Sequence, residues 1–256
     1  KRVSLIGDPR VTITKCAKDN PLTFTIVVSV LPEVTLPDYK KIASSENAKK
    51  PEVVEVTDKE LDDFIKNILT GYAKSTAKEG ETQELPTLDD TFVKKLGDFK
   101  DVADFKAKVK ENLLHEKQHK AKEKKRLMLA EAVLKKTDVS VPKALIESEL
   151  AKMFARFHDD IARTGMKVED YLKHIKKTEE DMRKEWRPDA EKRGKLQLVW
   201  NAIAEAEKIT VPPDELEVET KHMLEQYKTA DPGRTRAYVS MMLTNEKVFD
   251  FLESQK

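Results

Sequence analysis

The sequence predicts a mainly α-helical chain, thin and elongated, with a small β segment at its N-terminal end. Three observations predict it. Beyond residue 57 the apolar residues recur every three or four positions, the spacing that places them on one face of a helix. Before residue 31 they recur every second position, as in a strand. Charged residues make up 37% of the chain and its mean hydropathy is −0.62. A periodic apolar pattern in so charged a chain describes helices with one buried stripe and wide solvated faces.

Taken in order, Val11 and Ile13, then Leu22, Phe24, Ile26, Val28 and Val30, alternate with threonines and Ser29 and predict half-buried strands joined by a turn at Asp19-Asn20-Pro21. Two or three such strands are too few to stand alone, so they need a partner surface. Pro32 to Pro51 is rich in Pro and Lys without a clear period, and reads as an extended linker. Thr57-Asp58-Lys59-Glu60 is a capping box, in which the Thr hydroxyl accepts from the N3 amide and Glu60 reaches back to the Thr57 amide. It opens a helix bearing Leu61, Phe64, Ile65, Ile68 and Leu69. Gly71 to Pro86 is small, polar and aperiodic, and reads as a connection.

Asp101 caps a long helix whose stripe of Val102, Phe105, Val109 and Leu113 gives way to a polar stretch up to Arg126, then resumes at Leu127. A helix polar all round in its middle bridges solvent, as a projecting arm does. Val139-Ser140-Val141-Pro142 stops it and starts the next, with Pro142 at the first helical position. There Ile146, Leu150, Met153, Phe157 and Ile161 form the stripe and Gly165 suits the left-handed end position. A short helix runs from Val168 to Ile175. Thr178 caps a segment with Met182 and Trp186, Pro188 breaks or kinks it, and Leu196, Val199, Trp200 and Ile203 lie on a further helix. Ile209-Thr210-Val211-Pro212 then launches Leu216, Met223, Leu224 and Tyr227, and the last pieces carry Tyr238, Met241, Met242, Val248, Phe249 and Leu252.

Composition removes several functions. Lys+Arg (48) nearly balance Asp+Glu (47), so no overall basic excess draws the chain to nucleic acid or to an acidic membrane. No apolar run approaches the ~20 residues of a membrane span, and no signal peptide opens at Lys1. The chain starts on Lys1 rather than Met, which suggests that further residues precede it. Cys16 is the single cysteine, which excludes an intrachain disulfide framework and agrees with the reducing cytoplasm.

Two segments together resemble trigger factor, the bacterial ribosome-associated chaperone. Pro21 to Ile42 followed by Pro51 to Ile65 resembles the end of the family's ribosome-binding domain and its exit toward the C-terminal domain. Leu85 to Leu113, with the core Leu88 to Gly97, resembles the start of the helical body that follows the family's prolyl isomerase domain. The resemblance implies residues 1–43 as the remnant of an N-terminal α/β domain and 44–256 as a helical substrate-binding domain with a back and two arms. It further implies a function, the ATP-independent holding of unfolded or nascent polypeptides on an apolar concave surface. Where the isomerase would sit there is only the 71–84 connection, and a domain of roughly 100 residues does not fit there. No isomerase activity, and no enzyme, is expected. The family's docking loop, Gly-Phe-Arg-x-Gly-Lys-x-Pro, does not occur in the chain, so ribosome binding is carried over onto none of these residues.

A surface that accepts many clients needs adaptable apolar contact, which the unbranched, polarizable Met supplies and aromatic rings extend. The candidates are Met153, Phe154, Phe157, Met166, Tyr171, Met182, Trp186, Met223, Tyr227, Tyr238, Met241 and Met242. Residues at helical spacing are more often core, and the alternative for each is ordinary packing. Against this stands His115-Glu116-Lys117-Gln118-His119, a literal H-E-x-x-H, the pattern of a zinc protease. It lies in the polar, lysine-crowded middle of a helix, without the shielded pocket and third ligand of catalytic zinc, so no metal is expected. The basic stretch to Arg126 has no interleaved aromatics for base stacking, and no specific nucleic-acid binding is expected. The glycines stand far apart with no phosphate loop, so no nucleotide or other cofactor is expected. A SurA-like chaperone acting outside the cytoplasm is the alternative reading on the same fold.

Overall fold

The computed structural model describes residues 5–16, 21–49, 54–76 and 85–256. The expected turn at Asp19-Asn20 and most of the 71–84 connection lie outside the described residues. Among them are strands β1 (Leu5–Lys15) and β2 (Thr23–Val30) and helices α1 (Tyr39–Asn47), α2 (Asp58–Thr76), α3 (Asp90–Leu96), α4 (Val102–Lys135), α5 (Lys143–Arg163), α6 (Val168–His174), α7 (Glu179–Ala206), α8 (Pro213–Gln226) and α9 (Pro232–Glu253). The mainly helical reading with a small β segment therefore holds. The chain forms two compact units, one of residues 49–128 and the other of the residues up to Ala48 together with Leu129–Lys256. Helix α4 contributes to both.

In the unit of residues 49–128, the Thr57 capping box forms as expected: the Glu60 amide donates to Thr57 Oγ1 at 3.3 Å and the Thr57 amide to Glu60 Oε2 at 2.9 Å. Helix α2 buries Leu61 and Ile65 with Val93 of α3 and Phe105 and Val109 of α4. Asp101 accepts from the Asp104 amide at 2.8 Å and starts α4 as read. Two features depart from expectation. Helix α2 continues through Gly71 to Thr76, because Ala73 is buried and Tyr72 meets Phe92 edge to face at 5.0 Å. Helix α3 is an additional element, capped by Asp89 and closed by burial of Phe92 and Val93.

In the other unit, β1 and β2 pair antiparallel with Val11 opposite Ile26 and Ile13 opposite Phe24. These four share one face and are 49–61% exposed, not half-buried as their alternation implied, since a two-stranded sheet has no second layer of its own. The segment read as a linker is largely ordered. Thr35 bridges to Asp138, Val34 and Leu36 pack against core clusters, and α1 buries Ile42 and Ala43 against the end of α4, α7 and α9. Asn47 holds it there, its side-chain amide donating to the Leu252, Glu253 and Gln255 carbonyls at 2.8, 3.2 and 2.9 Å. Prolines and lysines hid the apolar set Val34, Leu36, Tyr39, Ile42 and Ala43.

Helix α7 is the largest correction. It runs 28 residues without interruption through Pro188. A proline inside a helix costs about 3 kcal/mol through its missing N–H and ring clash. Both flanks are nonetheless fastened to neighbours: Met182 and Ala190 are buried, and Gly194 is so close to α5 and the residues leading into it that an added Cβ would lie 3.0 Å from Val141 and 3.3 Å from Leu145. Packing on both sides of the proline outweighs the local penalty. Downstream, Leu198 joins α5 in one core, while Val199, Trp200 and Ile203 join α1, α4 and α9 in another.

Candidate functional site

The twelve Met and aromatic candidates fall on two helical groups of the larger unit, and their surroundings differ. On α5, the buried residues are Ile146, Leu150, Phe154 and Ile161, each a turn or two from the next. Phe157 and Met153 sit on the edge of that stripe and are half-buried. Helix α5 ends at Thr164, with Gly165 at φ 78° in the left-handed position expected of it. Met166 follows at 47% exposure. Helix α6 brings Tyr171 to Phe157, ring centroids 5.6 Å apart, and α7 brings Trp186 to both Phe154 (4.8 Å) and Phe157 (5.5 Å).

This aromatic cluster is assembled by caps and charges. Thr178 and Asp181 form a reciprocal capping box at the start of α7, and those hydrogen bonds hold the Asp181 carboxyl below its ordinary range. Arg183 lies over the Phe154 ring at 5.3 Å, and Arg183 and Arg187 both donate to Glu147 of α5 at 2.9 and 3.0 Å. Phe154 and Met182 are 6% and 7% exposed and have no surface to offer. Phe157, Tyr171, Trp186 and Met153 offer ring or chain edges, and Met166 is accessible.

The second group is built on α8 and α9. Pro212 and Pro213 start α8, and Asp231, accepting from the Arg234 amide at 2.7 Å, caps α9 with Pro232 in its first turn. The two helices pack on each other, with Thr220, Thr235 and Val239 buried and Lys247 paired to Glu215 at 2.9 Å. The far end of α9 enters the core through Val248 and Leu252, and Trp200 meets Phe249 edge to face at 5.1 Å. What remains outward is apolar. Tyr238 is 51% and Met242 38% exposed, one turn apart, with half-buried Met241 beside them on the same face. At the end of α8 Tyr227 is 56% exposed, one turn after half-buried Met223. Val218 on α8, 64% exposed, lies outside the Met and aromatic set. Nothing in its local sequence marks it as different from a core valine.

The H-E-x-x-H residues lie on exposed turns of α4. His115 faces Glu111 and His119 faces Glu123, while Glu116 is paired with Lys120 at 2.5 Å, which lowers its carboxyl below the ordinary range. A carboxylate so engaged is not a free general base. Among the described residues no group of three or more His, Cys, Asp or Glu is placed to hold a metal ion, and no helix is long and apolar enough to cross a membrane.

The chain has counterparts among known proteins. The family model described as the C-terminus of bacterial trigger factor protein matches residues 101–256, more than half of the chain. The chain belongs to the bacterial trigger factor family. A second trigger factor model matches residues 1–68. The trigger factor of Halothermothrix orenii is 34% identical over 188 residues, 70% of this chain and 44% of that protein. That of Clostridium botulinum strain Hall is 29% identical over 220 residues, 81% of this chain and 51% of its own. The chain thus spans about half the length of the curated trigger factors it matches. A solved structure concerned with promiscuous substrate recognition in folding and assembly by the trigger factor chaperone aligns over 100% of this chain and 80% of its own, at 18% identity and a TM-score of 0.45.

Proposed function

We infer that this trigger factor chain is a chaperone that acts without ATP, holding unfolded or nascent polypeptides by weak apolar contact. The observation that supports the reading is the exposure of Tyr227 at the end of α8 and of Tyr238 and Met242 one turn apart on α9, two helices that pack on each other. Flexible Met and flat Tyr suit clients of varied shape. Phe157, Tyr171, Trp186, Met153 and Met166 form a second, shallower contact region.

The same reading assigns no enzymatic step to the chain. Residues 71–84, of which 71–76 belong to α2, stand where the family carries its isomerase domain, residues 1–43 are the end of the ribosome-binding-like domain, and 44–256 bind substrate. Ribosome docking is assigned to no residue of this chain, and its single cysteine agrees with a cytoplasmic setting. The test is to dilute a chemically denatured, aggregation-prone client into the chain without nucleotide. Light scattering falls at several-fold molar excess, and the triple variant Tyr227→Ser, Tyr238→Ser, Met242→Ser loses most of that effect. Scattering unchanged by the intact chain would overturn the reading.

A further inference from the structure

The geometry points to a surface chelate for a divalent transition-metal ion of the zinc type at His115 and His119 on α4, distinct from any protease centre. The two histidines are four residues apart on a continuous helix, so their side chains rise from the same face one turn apart. That spacing lets two imidazoles meet one cation at Zn–N distances of about 2.0–2.1 Å.

Each ring already has a carboxylate on its outer side. Glu111 lies 3.9 Å from His115 Nε2, and Glu123 lies 3.6 Å from His119 Nδ1. Both distances exceed a hydrogen bond, so neither ring is fixed by its carboxylate and each can turn toward a shared cation, with the two carboxylates placing negative charge close by. Two of the nearby lysines are offset by carboxylates. Lys120 is neutralised by Glu116 at 2.5 Å, and Lys117 donates to Glu60 at 2.5 Å and to the Glu55 carbonyl at 2.8 Å. Two histidines leave the remaining coordination positions to water, so the site binds without catalysing. Imidazole donors select zinc, nickel or copper over magnesium and calcium.

The site has a mechanical consequence. Around it α4 carries no buried stripe and is held by exposed ion pairs, each a weak support. A cation joining positions 115 and 119 closes that turn and resists its opening, because an ion bound only by the folded helix stabilises it.

Zinc chloride titrated into the metal-free intact chain and followed by calorimetry tests the inference. One zinc binds per chain, His115→Ala and His119→Ala each weaken binding at least tenfold, and a triple His158→Ala, His174→Ala, His222→Ala variant binds as the parent does. Hydrogen exchange of the amides near 115–119 slows on adding zinc. The two histidines are 71% and 72% exposed, so the single variants retain the parent circular dichroism. Absence of binding, or binding that survives either single substitution, would overturn the inference.

Discussion

Helices α5–α7 and helices α8–α9 carry similar aromatic and Met residues and use them oppositely. In the first group Phe154, Phe157, Tyr171 and Trp186 turn toward one another, and Phe154 and Met182 disappear from the surface. In the second, Thr220, Thr235 and Val239 are buried and Tyr227, Tyr238 and Met242 stay outside. Residue type therefore does not mark a binding surface. The informative feature is a large apolar side chain kept out while a smaller one is taken in.

Substitutions separate the two groups by how much stability each residue carries. Phe154→Ala removes a buried ring from the first group and is expected to lower unfolding free energy by about 3 kcal/mol, read by urea denaturation. A loss below about 1 kcal/mol would show that the cluster is surface decoration. Pro188→Ala restores a helical N–H in α7 and is expected to stabilise by about 2 kcal/mol. Lys208 ends α7 at φ 53°, with the Ile209 amide donating to the Ala204 carbonyl at 2.8 Å, so Lys208→Gly relieves a left-handed residue and adds about 0.5–1 kcal/mol. The smallest change belongs to the second group: Tyr238→Ser with Met242→Ser shifts stability by no more than about 0.5 kcal/mol while weakening client binding several-fold.

A control lies outside both groups. Lys117, joined by the Thr57 cap, holds the Glu60 carboxyl down at about 2 against an ordinary 4.5. A carboxyl lowered on folding contributes stability that is complete above its unfolded value and is lost as pH falls toward the folded one. Glu60→Gln is thus expected to lower the melting temperature at neutral pH and to flatten its decline between pH 4.5 and 2, with client binding at neutral pH unchanged.

Much of the fold was legible because it is written locally. The Thr57 and Thr178 caps, the Asp101 start and Gly165 all act within four residues of themselves. What escaped depends on distant partners. Helix α1 is short and polar-flanked, and its order comes from α7 and α9, some 160–210 residues further along. Pro188 argued for a break that only packing against α5 overrides. The candidate set was legible as residue types, but which members are exposed was not, since Met182 and Met242 both sit at helical spacing and only the neighbouring helices decide that one is 7% and the other 38% exposed.

The most direct measurement places a photo-crosslinking side chain at Tyr238, and separately at Phe154 and Trp200, and exposes each folded variant to a denatured client. The account predicts strong capture at Tyr238 and little at the two enclosed positions. Equal capture at all three, or none at Tyr238, would contradict it.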